Sequence, residues 1–205
     1  MNDVKSWVVA AAGLVMLGMS AGACAVTVSL SPSSSTIGVG GAASVDVVIA
    51  GLGDQAAPSV GVYDIDVSFD AGVLGLDGVT FGTGLDVLGL GSVRITDGSL
   101  PGVVNVYELS LDAAADLDAL QPAAFTLFTL LFQGLGPGTS PLSVSLNTLG
   151  DASGDALDAD VSGGELTVTV SEPAAAWLLL AGLAGLGALP RAARSRRQRP
   201  AGDAA

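Results

Sequence analysis

The sequence predicts an antiparallel β-sandwich or jelly roll as the body of the protein. The first observation is an alternation of apolar and polar residues with a period of two, which is typical of strands with one buried face. The second is spacing, because eight or nine such segments recur at roughly ten-residue intervals between Gly, Pro, Asp and Ser clusters. The third is the lack of a long helical pattern among them. A closed barrel is the alternative, since periodicity does not separate the two architectures.

The N-terminal half of this region contains the clearest strand. Residues 26–30 and 45–49 alternate apolar and polar side chains, and the clusters at 31–35 and 40–41 end or precede these strands. The alternation is strongest at 63–70, where the apolar positions are Tyr63, Ile65, Val67 and Phe69. A one-residue slip would bury the aspartates that lie between them, so the register of this strand is strongly set.

Shorter predicted strands follow at 76–81, 93–96 and 103–111. A short helix is predicted at 112–120, with Asp112 as its N-cap and Pro122 closing it.

Residues 125–132 are almost continuously apolar, which predicts a central strand covered on both faces. Strands at 142–146 and 166–170 complete the set and flank an acidic loop at 150–164.

Two stretches of this region are similar to the cohesin domain. The first reads GVYDIDVSFD at 61–70, followed by Val73 and Leu74; the second reads FTLLF at 128–132, then GPGT at 136–139 and LSV at 142–144. The resemblance extends over residues 26–170. It implies a nine-stranded jelly-roll sandwich that binds dockerin modules, a fold that cohesins share with one group of carbohydrate-binding modules.

The charge of the predicted domain excludes some partners. Residues 26–172 contain 18 of the 20 acidic residues and, among basic residues, only Arg94, which gives a formal charge of −17. Such a surface repels nucleic acid and anionic lipids and favours cations or basic partners. The chain has no histidine, and its single cysteine, Cys24, precedes the domain. Disulfides, thiolate chemistry and imidazole metal sites are therefore not expected there.

No catalytic constellation is predicted, and we expect a protein that is not an enzyme. Serines lack a histidine or lysine base within the domain. Asp64, Asp66 and Asp70 share one strand face and offer paired carboxylates, but alternation already explains them as a solvated face.

A calcium site is the one cofactor that the residues suggest. The densest acidic cluster suits this hard cation but lacks the spacing of an EF-hand loop, so a solvated turn is the alternative; it consists of Asp151, Asp155, Asp158 and Asp160.

Few aromatic residues are available for stacking on sugars. Both tryptophans, Trp7 and Trp177, lie outside the domain, which leaves Tyr63, Tyr107 and five phenylalanines, nearly all at apolar positions. This pattern argues against a flat polysaccharide-binding platform.

The N-terminal residues 1–25 are predicted to be a signal peptide. Lys5 precedes an apolar core at 7–19, and Ala23 and Ala25 form an A-x-A cleavage site before Val26. A membrane anchor and a lipoprotein acylated at Cys24 are the alternatives.

The C-terminal residues 171–199 are predicted to be a sorting signal. An uncharged run at 174–189 would form a helix about 24 Å long, near the lower limit for a transmembrane span. The basic residues after it would hold that end in the cytoplasm; they are Arg191, Arg194, Arg196, Arg197 and Arg199. A buried core helix would need a polar stripe, which this run lacks.

This tail resembles a PEP-CTERM sorting signal, which an exosortase reads on exported bacterial proteins. The motif here is Ser171, Glu172 and Pro173, so the first proline of the family motif is absent. The resemblance implies processing by an exosortase-like enzyme.

The sequence as a whole predicts an exported cell-surface or extracellular-matrix protein without enzymatic activity. Its cohesin-like domain would lie outside the cytoplasm, anchored by the C-terminal helix and released after processing. The expected partner is a surface or matrix protein, dockerin-like in character, and no nucleic acid. The alternatives are a carbohydrate-binding module that acts on exopolysaccharide and a secreted hydrolase.

Overall fold

The computed structural model describes residues 25–170 and 174–187. Within them the chain forms eleven strands and two helices. The strands are β1 (Val26–Pro32), β2 (Thr36–Gly38), β3 (Ala42–Ala50), β4 (Val60–Ser68), β5 (Leu74–Phe81), β6 (Ser92–Asp97), β7 (Val103–Ser110), β8 (Ala124–Gly134), β9 (Gly138–Asp151), β10 (Ala159–Ser162) and β11 (Gly164–Thr169). The helices are α1 (Ala114–Leu120) and α2 (Ala174–Gly187).

The strands form two sheets that pack face to face. The five-stranded sheet has the order β10-β1-β3-β8-β5, and the six-stranded sheet has the order β2-β11-β9-β4-β7-β6. All pairs are antiparallel except β1 with β10 and β2 with β11, which lie at one margin of each sheet. The chain alternates between the sheets from β3 to β6, and β5 and β6 form the opposite edges. The predicted all-β sandwich is thus confirmed.

Strand β4 has the register that its alternation predicts. Tyr63, Ile65 and Val67 are buried between the sheets, whereas Asp64 and Asp66 face outward. This arrangement places the apolar half of the strand in one core and the carboxylates on the outer surface of the six-stranded sheet.

Strand β8 is central, as predicted, because it pairs with β3 on one side and β5 on the other. Phe128 and Phe132 are fully buried and contact the opposite sheet through Tyr63 and Phe69, with ring centroids 5.7 and 5.1 Å apart.

The prediction that both faces of β8 are covered was wrong at Leu131, which is exposed. The register with β3 shifts at Leu127. This bulge interrupts the alternation, and the consecutive residues Leu127 and Phe128 are therefore both buried. The continuous apolar run therefore reflects a bulge in a strand with one covered face.

The start of α1 corrects another prediction. The N-cap is Ala113 and makes no side-chain capping bond, while Asp112 accepts a hydrogen bond from the Leu88 N–H at 3.3 Å instead. The helix begins at Ala114, so Asp112 lies one residue before the N-cap position. The helix ends at Leu120, before Pro122, as expected.

Helix α2 contains the described part of the predicted C-terminal span. The side chains of Leu178, Leu179, Leu180 and Leu183 are exposed. Over the described residues, no helix combines the length and the apolar character that a membrane crossing requires.

Other predictions for the two ends fall outside the described residues. These are the signal peptide up to residue 24 with Ala23, the motif Ser171, Glu172 and Pro173, and the arginines Arg191, Arg194, Arg196, Arg197 and Arg199. Ala25, the other predicted cleavage residue, is exposed directly before β1.

Candidate functional site

An exposed aliphatic patch lies at the edge of the six-stranded sheet. Val93 and Ile95 of β6 and Leu109 of β7 face outward and are 42%, 54% and 37% exposed. Val93 is paired with Leu109 across the strands, and Ile95 with Tyr107. We call this surface the β6–β7 patch; it comprises Leu88, Leu90, Val93, Ile95, Leu109 and Leu111, all exposed. Contiguous exposed apolar surface of this kind marks interaction sites in many proteins.

Two carboxylates of β4 lie beside the β6–β7 patch. The Asn105 side-chain amide donates hydrogen bonds to Asp64 and, at 2.8 Å, to Asp66, and Asn147 donates a second one to Asp64 at 3.3 Å. Asn105 thereby holds both acids in place while leaving each an oxygen free to accept. Within the described residues the single salt bridge lies elsewhere, so this acidic pair has no cationic partner there.

Beneath the β6–β7 patch, a polar network joins the two sheets on their inner side. Glu108 is buried and its Oε1 accepts hydrogen bonds from Arg94 Nε at 2.8 Å and Ser92 Oγ at 2.6 Å. Its Oε2 accepts a third from the Tyr63 hydroxyl at 2.8 Å. Arg94 also donates to the Gly82 carbonyl of the opposite sheet.

Tyr63 serves this network as a hydrogen-bond donor. Burial, together with the adjacent Glu108 carboxylate, raises the pKa of Tyr63 far above its ordinary value. The Arg94 guanidinium lies 5.2 Å from the centre of the Phe81 ring, so β6 is tied both to β7 and to β5. Among the described strands β6 has a neighbour on one side only, so its position depends on these contacts.

The sequence did not predict the network, although one signal was present. Val104, Val106 and Glu108 share one phase of β7, so a glutamate stands where the alternation requires a buried residue. In β6 the usual pattern of apolar residues inside and polar residues outside is reversed. Arg94 faces inward, and its neighbours Val93 and Ile95 face outward.

The residues that were considered for catalysis or sugar stacking are separated by the fold. Asp70 lies in the turn after β4, where it accepts a hydrogen bond from the Gly72 N–H, away from the pair on the strand. Tyr63 is buried and cannot stack on a sugar ring. Tyr107 is half-buried on the outer face next to Ile95, a single ring without the coplanar neighbours of a stacking platform.

The four calcium candidates do not converge. Oδ1 of Asp151 accepts the backbone N–H groups of Ser153 and Asp155 at 2.8 and 2.9 Å, which closes a tight turn. Asp158 and Asp160 are exposed further along the chain. In the part of the chain that the structure describes, no group of three or more acidic or cysteine side chains could hold a metal ion.

Comparisons with known proteins give similarity at the level of structure. No family model matches the chain, and no curated protein matches it. Among solved structures, CaCohA2 from Clostridium acetobutylicum is similar with a TM-score of 0.55 and 25% identity, covering 72% of this chain and 94% of that one.

Two further similar structures come from a second Clostridium species and from an archaeon. One is the type I cohesin–dockerin complex Coh-OlpA-Doc918 from Clostridium thermocellum, with a TM-score of 0.57, 12% identity and coverage of 71% of this chain and 99% of the matched chain. The other is a non-cellulosomal cohesin from the archaeon Archaeoglobus fulgidus, with a TM-score of 0.54, 16% identity and coverage of 75% and 97%.

The matched region is nearly complete in the similar structures. It covers 99%, 97% and 94% of those chains. All core residues of the present chain likewise lie between Val26 and Val168. The domain is an all-β, two-sheet sandwich with the cohesin fold.

Proposed function

We propose that the sandwich is a protein-binding module that takes a dockerin-like partner on the outer face of the six-stranded sheet. The observation that carries the proposal is the β6–β7 patch beside the Asp64–Asp66 pair. Dockerins are the partners of cohesins in complexes such as that of Clostridium thermocellum, which supports the choice of partner class.

The chemistry of this face specifies the partner further. Exposed aliphatic side chains are stabilised by burial against an apolar surface, at about 25 cal/mol per Å². The two carboxylates, which Asn105 holds in place, need a positively charged or hydrogen-bond-donating neighbour. An amphipathic segment with aliphatic residues flanked by Lys or Arg satisfies both requirements. A polysaccharide meets neither requirement. It supplies no positive charge, and the ring of Tyr107, on which a sugar could stack, is half-buried.

The proposal includes export and retention at the cell surface. The signal-peptide pattern at 1–25 would deliver the domain outward, and the apolar run with its arginines at 171–199 would hold it in the membrane until an exosortase-like enzyme acts. The module would then act at the surface or in the extracellular matrix.

Binding is tested with the isolated domain, residues 26–170, immobilised and exposed to surface and matrix proteins of the source organism. We expect capture of a defined protein that weakens as salt is raised, since screening shortens the Debye length to about 10 Å at 0.1 M. Leu109→Asp should abolish capture, whereas Val161→Asp, at an exposed valine on the margin of the other sheet, should not.

Two results would contradict this function. One is capture that Leu109→Asp leaves intact. The other is strong, salt-insensitive retention of the domain on an insoluble polysaccharide that Tyr107→Ala removes, which would identify a glycan-binding module instead.

Export is tested in the full chain by replacing the five C-terminal arginines with glutamine. The variant should leak to the medium or reverse its orientation, because the positive charges would no longer hold the end in the cytoplasm. Unchanged retention would refute the anchoring role. In addition, Glu172→Ala should accumulate as an unprocessed, membrane-bound form if the motif is read by a protease.

A further inference from the structure

Asp112 is a buried carboxylate with an unsatisfied oxygen. Its side chain is 9% exposed, and Oδ2 accepts the Leu88 N–H at 3.3 Å, while Oδ1 is buried without a hydrogen-bond partner. Removing a carboxylate from water without a counter-charge is strongly unfavourable. Arg94, the single basic residue between 25 and 187, is already paired with Glu108. Among the residues that the structure describes, no other cation is therefore available to Asp112.

A second carboxylate lies in the same pocket. Asp112 lines a cavity of about 210 Å³ together with Asp151, Ser110 and Ser153. Oδ1 of Asp151 closes its own turn, which leaves Oδ2 available to a ligand. The volume is sufficient for an ion with several of its waters, each of which occupies about 30 Å³.

We propose that this pocket binds a divalent cation of the calcium type between Asp112 and Asp151. All its polar side chains present oxygen, and hard oxygen ligands in flexible loops favour Ca²⁺ over transition metals. Serine hydroxyls, backbone carbonyls and water supply the other ligands. The site differs from the acidic cluster of the sequence, because it uses Asp151 but none of Asp155, Asp158 and Asp160.

A bound ion would also organise the neighbouring β6–β7 patch. The Asp112 carboxylate accepts a hydrogen bond from the backbone N–H of Leu88, which positions the loop that carries this leucine. Leu109 lines the same pocket as Asp112 and Asp151. Fixing Asp112 against Asp151 would fix the position of both leucines. This consequence rests on the proposed partner binding, whereas the cation site does not.

The cation site is tested on the domain 26–170, stripped with EDTA and titrated with CaCl₂ by calorimetry and thermal melting. We expect one saturable site and a rise in melting temperature of roughly 5–10 °C at about 100 times Kd. Asp112→Asn should lose this response and, because it removes a buried charge, should melt above the ion-free wild type. Asp158→Asn, an exposed acid of the same region, should respond like the wild type.

Asp151→Asn provides a second variant, since an amide oxygen still accepts the turn hydrogen bonds while the charge is lost. It should bind Ca²⁺ at least tenfold more weakly. The proposal is overturned if the wild type shows no saturable binding, or if Asp112→Asn and Asp151→Asn respond as strongly as the wild type, which would indicate general screening of the acidic surface. MgCl₂ in place of CaCl₂ should produce a smaller shift, because Mg²⁺ demands octahedral geometry and dehydrates reluctantly.

Partner capture in EDTA and in CaCl₂ separates this inference from the proposed function. Capture that requires Ca²⁺ in the wild type and is weakened in CaCl₂ by Asp112→Asn supports the link between the site and the patch. Equal capture in both buffers, with Ca²⁺ binding intact, would refute the link and leave both the site and the partner-binding function standing.

Discussion

The two sheets share one core but present different outer faces. In the five-stranded sheet the outward residues include Thr27, Ser29 and Ser44, and the carboxylate of Asp46 accepts a hydrogen bond from the Thr129 hydroxyl at 2.6 Å. The outer face of the six-stranded sheet carries the β6–β7 patch and two acids that no described cation neutralises. The exposed aliphatic residues of the five-stranded sheet, Leu131 and Val161, lie on separate strands that are not neighbours, whereas Val93 and Leu109 of the six-stranded sheet are paired across adjacent strands.

The difference identifies which face is available for a partner. Ser and Thr side chains on a β-sheet remain well hydrated and tolerate exposure, whereas aliphatic side chains in a contiguous patch favour association. The network of Glu108, Arg94 and Tyr63 lies directly beneath the patch and positions its edge strand. Partner binding is therefore expected at the β6 edge of the six-stranded sheet, and the position of this edge depends on buried polar contacts.

The largest effect is expected in the core that both sheets share. Phe128→Ala should lower the free energy of unfolding by ~3–5 kcal/mol, because the ring is fully buried against Tyr63 of the other sheet. Denaturant unfolding of the domain measures this change.

The control for this substitution lies three residues further along the same strand. Leu131→Ala faces outward and should change the free energy of unfolding by less than about 1 kcal/mol. Equal losses in the two variants would mean that the faces of β8 have been assigned wrongly.

An intermediate effect is expected from the buried network, which only the six-stranded sheet has at its edge. Glu108→Ala leaves Arg94, Ser92 and Tyr63 without their common acceptor and should cost about 1–3 kcal/mol. Hydrogen exchange should accelerate in β6 more than in β3, because β6 loses the contacts that hold an edge strand. The exposed Glu165→Ala is the matched control, and an equal effect on stability there would refute a structural role for the network.

Sequence patterns predicted the core better than the site, for a physical reason. In β4 each apolar residue alternates with an acid, so only one register avoids burying charge, and the strand was predicted correctly. In β6 the same rule fails, since a single arginine faces inward where Glu108 neutralises it. That pairing joins residues of two strands and cannot be seen within either one.

Short strands at the sheet margins were also missed. β2 and β10 contain three and four residues, too few for a period to be recognised, and β10 lies inside the predicted acidic loop. Both exist because a neighbouring strand, β11 or β1, supplies the hydrogen bonds. The orphan oxygen of Asp112 was equally invisible, because the residue was interpreted as a helix cap and its burial depends on loops distant in sequence.

The smallest effect on stability is expected on the outer faces, where the two sheets can be compared directly. Ile95→Thr and Leu131→Thr each replace a half-exposed aliphatic side chain with a residue that favours strands, one on each sheet, and should change the free energy of unfolding by only about 0.5 kcal/mol. Their effects on binding should differ. Ile95→Thr removes apolar area from the β6–β7 patch and should weaken partner binding at least tenfold, whereas Leu131→Thr should leave the affinity unchanged. A loss of affinity with Leu131→Thr instead would move the binding face to the five-stranded sheet, because equal stability in the two variants leaves direct contact as the remaining cause.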